Sequence, residues 1–438
     1  MLAQEHAPIE ALTIGTEMHD LLSELYPICR SITGYGVRQT LEILQQHIPV
    51  EVRSIPSGTI VFDWEVPKEW NITDAYIKKM NGEKVIDFST SNLHVLSYST
   101  PIHAWLKISE LREHLYTLPE HPDWIPYRTS YYKKDWGFCV SYNQFLSLTD
   151  DVYEVCINST LEEGHLNYGE LFIKGETPAE VLITTHICHP SLCNDNLSGI
   201  SVVTFLAIEL GKKKQRYSYR FLFIPGTIGA ITWLTLNEAA TQNIKHGLVT
   251  VLLGDEGNFT YKKSRQGNAE IDEIVDEALK SRCKEYKIID YSPYGYDERQ
   301  FCSPGFNLPV GCLSRTPYNQ YPEYHTSADN LDFVKAESLE ESFEMLLLIV
   351  SMLEKNRKYV NTNPKCEPNL GKRGLYNLTG NDKSTHDFQL ATLWVLSLSD
   401  GTHSLLQISK KSKITFNTIC KAASQLMKSG LLIDLQSN

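Results

Sequence analysis

The sequence predicts an α/β protein: a mostly parallel sheet with helices on both faces, carrying an inserted β-rich domain and a C-terminal winged helix. Three observations carry this expectation. From about Tyr153 onward, short runs that are apolar throughout alternate with longer amphipathic runs. Strands without polar alternation are buried on both faces, as in a parallel sheet covered by helices. Between about Ser54 and Asp150 the chain is instead rich in aromatic and β-branched residues broken by prolines and turn signals, as in SGTIVFDWEVP and DWGFCVSY. Finally, the stretch 385–438 holds three helical patterns and a short apolar strand.

The elements follow in order. Met18, Leu21, Leu22 and Leu25 recur at helical spacing, and Val37, Leu41, Leu44 and Ile48 do so again. The polar, glycine-bearing turn Arg30–Gly36 separates these two helices. Residues 1–53 are read as the N-terminal helices of a core that resumes at 151–360, with the β-rich insertion at 54–150 between them. Within the core, EVLITTH (180–186), YRFLFIPG (219–226), HGLVTVLLG (246–254) and 308–314 read as strands. The stretches 197–212, 227–240, 270–280 and 337–354 read as helices. A polar Asn/Gly/Pro linker occupies 361–384. Helices at 388–398, 404–411 and 415–429, then Gly430 and LLIDL, complete a winged helix-turn-helix.

Bulk properties exclude several classes. No apolar run in the 438 residues approaches the roughly 18–20 needed to span a bilayer. The stretch Met1–Glu17 is polar and acidic, unlike a secretory signal, which implies a cytoplasmic protein. Ten cysteines without a CxxC pair fit reduced thiols better than a disulfide framework or a structural zinc site. A net charge of −12 argues against whole-surface binding to nucleic acid or anionic lipid. The winged helix carries Lys410, Lys411, Lys413, Lys421 and Lys428 but lacks an Arg/Asn/Gln set for reading base edges. It is therefore expected to contact protein rather than DNA.

The chemistry concentrates in Thr185-His186-Ile187-Cys188-His189-Pro190 and in Asn194-Asp195-Asn196-Leu197-Ser198-Gly199. A buried strand delivers His186 to its C-terminal end, where open α/β sheets place their sites, and a short loop presents Asp195. Far along the chain, Tyr324-His325-Thr326-Ser327-Ala328-Asp329-Asn330 offers His325 as a third ligand and Asp329 as a carboxylate behind it. Imidazole and carboxylate donors in this combination suit zinc, one ion or two. His189 reads as a loop residue or a support behind the ligands, not as a ligand itself.

These motifs resemble the zinc aminopeptidase superfamily, which also contains glutamate carboxypeptidase and glutaminyl cyclase. Over nearly the whole chain the sequence is similar to a bacterial branch of aminopeptidase-like proteins with an inserted β domain and a C-terminal winged helix. RSITGYGVR, FDWEVPKEWNI, SNLHVLSYSTP, LPEHPDWIPYRTSYY and DERQFCSPGFNLPV carry that closer likeness. The resemblance implies that His186, Asp195 and His325 hold the metal, with Asp255 as a further carboxylate. It also implies hydrolysis of a small amide or peptide substrate. Two departures stand out. The family's His-x-Asp has Cys188 in place of its aspartate, and the glutamate that acts as general base falls on Gly226. Glu256 and Glu298 are the candidates to replace that base, and Arg30, Arg315 and Tyr324 are candidate substrate contacts. The rival expectation is a metal-retaining pseudoenzyme that binds a peptide-like or amino-sugar ligand and signals through the winged helix.

Overall fold

The structure is a computed structural model that describes residues 13–375 and 383–435. It divides into two compact units, Met1–Leu347 and Leu348–Asn438.

The first unit is built on an eight-stranded sheet. Its strands run in the order Glu51–Pro56, His165–Ile173, Ser218–Ile224, Glu180–His186, Ile244–Thr250, Val310–Ser314, Thr260–Lys262 and Lys287–Ile289. The four strands from Ser218–Ile224 to Val310–Ser314 are mutually parallel, and the flanking pairs bring in antiparallel neighbours. Glu180–His186 is buried at every position, which is why its sequence shows no alternation. Its register sets His186 opposite Ile224, so the two C-terminal strand ends are level.

Helices pack on this sheet through the stripes visible in the sequence. Ile14–Leu25 buries Met18, Leu21, Leu22 and Leu25, and Ser201 in helix Gly199–Gly211 donates to the Met18 carbonyl at 2.6 Å. Tyr35–His47 buries Val37, Thr40, Leu41 and Leu44. At its start only glycine fits position 36, because a Cβ there would lie 2.1 Å from the Cys29 carbonyl oxygen.

The β-rich segment forms a four-stranded antiparallel sheet, ordered Lys84–Asp87, Glu69–Lys79, Val152–Glu162 and Ile102–Lys107. Two of the expected boundaries cut across strand pairing. Glu51–Pro56, which straddles residue 53, lies wholly in the main sheet. Val152–Glu162, read as the start of the core, lies wholly in the inserted one.

The second unit contains helices Lys383–Leu398, Leu405–Ser412 and Phe416–Lys428. A three-stranded antiparallel sheet places Lys358–Asn361 between Asp400–Ser404 and Leu432–Asp434. The sequence reading left Lys358–Asn361 at the end of the core and began the winged helix at 385. Both ladder partners of that strand are winged-helix strands, so the structural element starts earlier. Part of the expected linker, 376–382, lies outside the described residues. No described helix is long and apolar enough to cross a membrane.

Candidate metal centre

His186 ends the central strand, and the chain then enters the irregular turn Cys193–Ser198. Asp195 and Asn196 depart from helical dihedrals there, with φ/ψ of −110/77 and −147/33, before helix Gly199–Gly211 begins. This break aims the Asp195 carboxylate at the sheet edge. Its Oδ1 lies 3.0 Å from His186 Nε2, and its Oδ2 lies 2.9 Å from His325 Nε2 and 3.3 Å from His189 Nδ1.

The flanking residues fix the turn from behind. Asp329 accepts the backbone N–H groups of Asn194 and Asp195 at 2.6 and 2.9 Å. Asn196 donates to Thr185 Oγ1 and to the His186 carbonyl, and accepts from the Leu252 N–H. Asn194 accepts from the Gly254 N–H and donates to Asp255. Aromatic rings then wall the histidines. Tyr324 stacks on His325 with centroids 4.0 Å apart, Tyr296 stacks on His186 at 5.2 Å, and Tyr127 meets His189 and His325 edge-on.

Electrostatics favour the ligating forms. Burial, only partly offset by Asp195, pushes His186 and His325 below the usual histidine range, which keeps the rings neutral. Burial opposes ionisation of Asp195 as well. The nearby His189 and the hydrogen bond with His186 nonetheless hold it well below the carboxylate range. Burial pushes Asp329 up to about 8 despite its two N–H donors.

The donor set fits zinc. Asp195 Oδ2 and His325 Nε2 are buried and only 2.9 Å apart, yet neither has an aligned hydrogen-bond partner. Two orphaned donor atoms beside a buried anion and neutral imidazoles are what a borderline divalent cation satisfies. Of the described residues, His186, His189 and Asp195 have ligand atoms all within 4.8 Å of one another. His189, read from sequence as a loop residue, thus joins the cluster, as its two-residue separation from the strand end at His186 could have suggested.

Several expected residues stand elsewhere. Asp255 is not in the cluster, because Gly257 N–H and Thr316 Oγ1 engage its Oδ1 while Asn194 Nδ2 and Thr316 N–H engage its Oδ2. Glu256 is exposed. Glu298 is fully buried, and its Oε1 is bound to Lys262 Nζ at 2.8 Å. Arg30 is also fully buried. Its Nε donates to the His189 carbonyl and its Nη1 to the Leu25 carbonyl, so it props the ligand loop from inside. Arg315 donates to the Gly257 and Ser338 carbonyls and pairs with Glu341. Tyr324 alone of the three expected contacts lines the cavity of about 350 Å³ beside His325, with His121, Tyr127, Arg128 and Tyr321.

Position 226 follows its strand to the same edge. A Cβ built on Gly226 would lie 3.4 Å from His186 Cβ and 3.6 Å from both carboxylate oxygens of Asp297. Sequence reasoning singled out the neighbouring Glu298 and passed over Asp297. The structure buries it to 2% exposure. Burial and the neighbouring Glu298 push its carboxyl up to about 8.

With the geometry in place, comparison with known proteins assigns the family. Residues 19–356 match a family described as a domain of unknown function, DUF4910. The chain belongs to that family. Residues 357–434 match a winged helix-turn-helix. A Clostridium acetobutylicum protein, named for polysaccharide biosynthesis and an aminopeptidase-like domain, is 52% identical over 418 residues, 95% of this chain and 96% of its own. A crystal structure of a C. acetobutylicum protein titled as a peptidase superimposes with a TM-score of 0.91 at 51% identity, covering 96% of each chain. The zinc aminopeptidase BSAP of Bacillus subtilis shares the fold, with a TM-score of 0.56 at 12% identity over 78% of this chain and 96% of that one.

Proposed function

We propose that this protein is a zinc-dependent hydrolase of the aminopeptidase type, cleaving an amide or peptide bond in a small aminoacyl or peptide-like substrate. The observation that carries the reading is the convergence of three imidazoles on the buried Asp195 carboxylate beside an open cavity. His186, Asp195 and His325 would hold the ion, with His189 within reach of the same position. Zinc bound there supplies Lewis acidity toward a carbonyl and lowers the pKa of water. The protein's part is positional. Asp329 and Asn196 hold the ligand turn, Tyr324 and Tyr296 fix the planes of His325 and His186, and the aromatic wall limits access of bulk water. All ten cysteines are free thiols, which suits a reducing, cytoplasmic setting.

One observation favours a second reading. Glycine at 226 leaves the family's proton-accepting side chain absent, and a ligand-binding pseudoenzyme needs none. The deciding experiment loads the protein with zinc and assays a panel of aminoacyl amides and dipeptides. Turnover that is lost in His186→Ala together with the zinc supports the hydrolase. Stoichiometric zinc with tight product binding and no turnover across the panel would replace it with the pseudoenzyme.

A further inference from the structure

We propose that Asp297 supplies the carboxylate that position 226 lacks, serving as the group that takes a proton from the attacking water. This rests on the hydrolase reading and names a residue within it.

The geometry comes from two chain segments meeting at one strand end. A Cβ at 226 would stand 3.4 Å from His186 Cβ, so position 226 adjoins the first ligand. Both Asp297 oxygens lie 3.6 Å from that same point, about the reach over which a glutamate at 226 would set its own carboxylate. The Asp297 carboxylate thus lies within the span that a glutamate side chain at 226 would cover. Tyr296, the preceding residue, stacks on His186, which ties this segment to the ligand from its other side.

Asp297 also has one unpartnered oxygen. Its Oδ1 is buried without a hydrogen-bond partner, an arrangement that is costly unless a ligand or substrate water completes it. The nearby alternative, Glu298, also has one unpartnered oxygen, Oε2, but its Oε1 is held by the Lys262 ammonium, an ion pair that Asp297 lacks. Arg299 is the neighbouring cation, and the Cys188 and Cys312 thiols are further ionisable groups near this carboxyl. Next to a bound divalent cation a buried carboxyl ionises more readily, which suits a group that must begin as the anion. In the reaction, Asp297 accepts one water proton while the water oxygen bonds to the scissile carbonyl carbon. The C–N bond then breaks, and the proton passes to the departing amine. Water is consumed, and an acid and an amine are formed.

The same geometry predicts what a glutamate at 226 would do. In the native chain it would crowd a second carboxylate against Asp297, and like charges at that range disfavour each other. Restoration is therefore expected only where Asp297 has been removed.

The test compares zinc-loaded wild type, Asp297→Asn, Asp297→Ser and the double variant Gly226→Glu/Asp297→Ser. Two quantities are measured: kcat/KM on the aminoacyl panel, and affinity for an amino-acid hydroxamate, whose N–OH needs a nearby carboxylate acceptor. Asp297→Asn should keep its zinc and melting temperature, lose about 10²–10⁴-fold in kcat/KM, and bind hydroxamate at least tenfold more weakly. The double variant should recover at least tenfold over Asp297→Ser in both measurements. Loss of zinc in both single variants would make Asp297 a ligand and overturn the proposal. So would hydroxamate affinity within twofold of wild type in a zinc-loaded Asp297→Asn protein. Should the wild type hold zinc yet turn nothing over, the hydrolase reading fails, and the hydroxamate comparison still decides where the carboxylate stands.

Discussion

The carboxylate of Asp329 accepts the backbone N–H groups of both Asn194 and Asp195, at 2.6 and 2.9 Å, from a segment more than a hundred residues downstream. One buried side chain thereby sets the pitch of the turn that presents Asp195. Asp329→Asn keeps the shape but turns an amide NH₂ toward one of those N–H groups. Supporting residues of this kind are worth about 10–100-fold in metal affinity. Chelator competition should show that loss in zinc affinity, with far-UV circular dichroism unchanged. Wild-type affinity in the variant would mean the turn holds its shape without Asp329.

The cluster also predicts how metal is lost. His186→Ala and His325→Ala should each abolish stoichiometric zinc, and His189→Ala should weaken it by at least tenfold, because His189 Nδ1 lies 3.2 Å from His186 Nε2 and 3.3 Å from Asp195 Oδ2. Elemental analysis after dialysis against a weak chelator reads this directly. Full zinc in the His189 variant would return that residue to a loop role.

A third expectation concerns acid stability. Partial burial works against ionisation of Glu69. Hydrogen bonds from Arg38, Asn71 and the His165 N–H nonetheless bring its carboxyl down to about 2. A folded-state pKa below the unfolded value gives stability that is complete above about pH 4.5 and is lost as pH falls toward 2. Glu69→Gln should therefore melt below wild type at neutral pH, and the two curves should converge between about pH 4.5 and 2. A constant gap down to pH 2 would show that the cost comes from packing, not charge.

Truncation separates two accounts of the C-terminal boundary. Ending the chain after Asn356 removes the whole three-stranded sheet of the second unit. Ending it after Ser384 keeps Lys358–Asn361 while deleting both partner strands. An unpaired edge strand invites association. The shorter chain should sediment as a single zinc-binding species and the longer one should aggregate. The opposite result would show that 357–384 is needed by the first unit.

Much of this was legible in the sequence for physical reasons. Buried parallel strands are apolar throughout, so Glu180–His186 and its neighbours stand out. Helix stripes show at Met18, Leu21, Leu22 and Leu25 because one face alone is buried. The motif positions of His186, Asp195 and His325 led to the residues that the fold gathers. Other features left no local trace. Lys358–Asn361 is four residues long with no alternation, and its strand character comes from two partners far along the chain. Asp255 looks like a free carboxylate at a strand end, and only the folded chain brings Thr316 and Asn194 to saturate it. Asp297 lies among charged residues, and its burial is wholly tertiary.

The Asn-Asp-Asn turn divides its labour in a way that bears on how such a site changes over time. Asn194 and Asn196 spend their amides on the backbone at Gly254, Leu252 and His186, while Asp195 spends its side chain on the histidines. The scaffold of the turn therefore does not depend on the residue at its apex. A lineage could exchange that apex, or the proton acceptor across from it, and keep the same loop standing. Loss and regain of reactivity then lie one or two codons apart on an unbroken framework. In such a lineage, an intact fold says little about whether the chemistry is switched on.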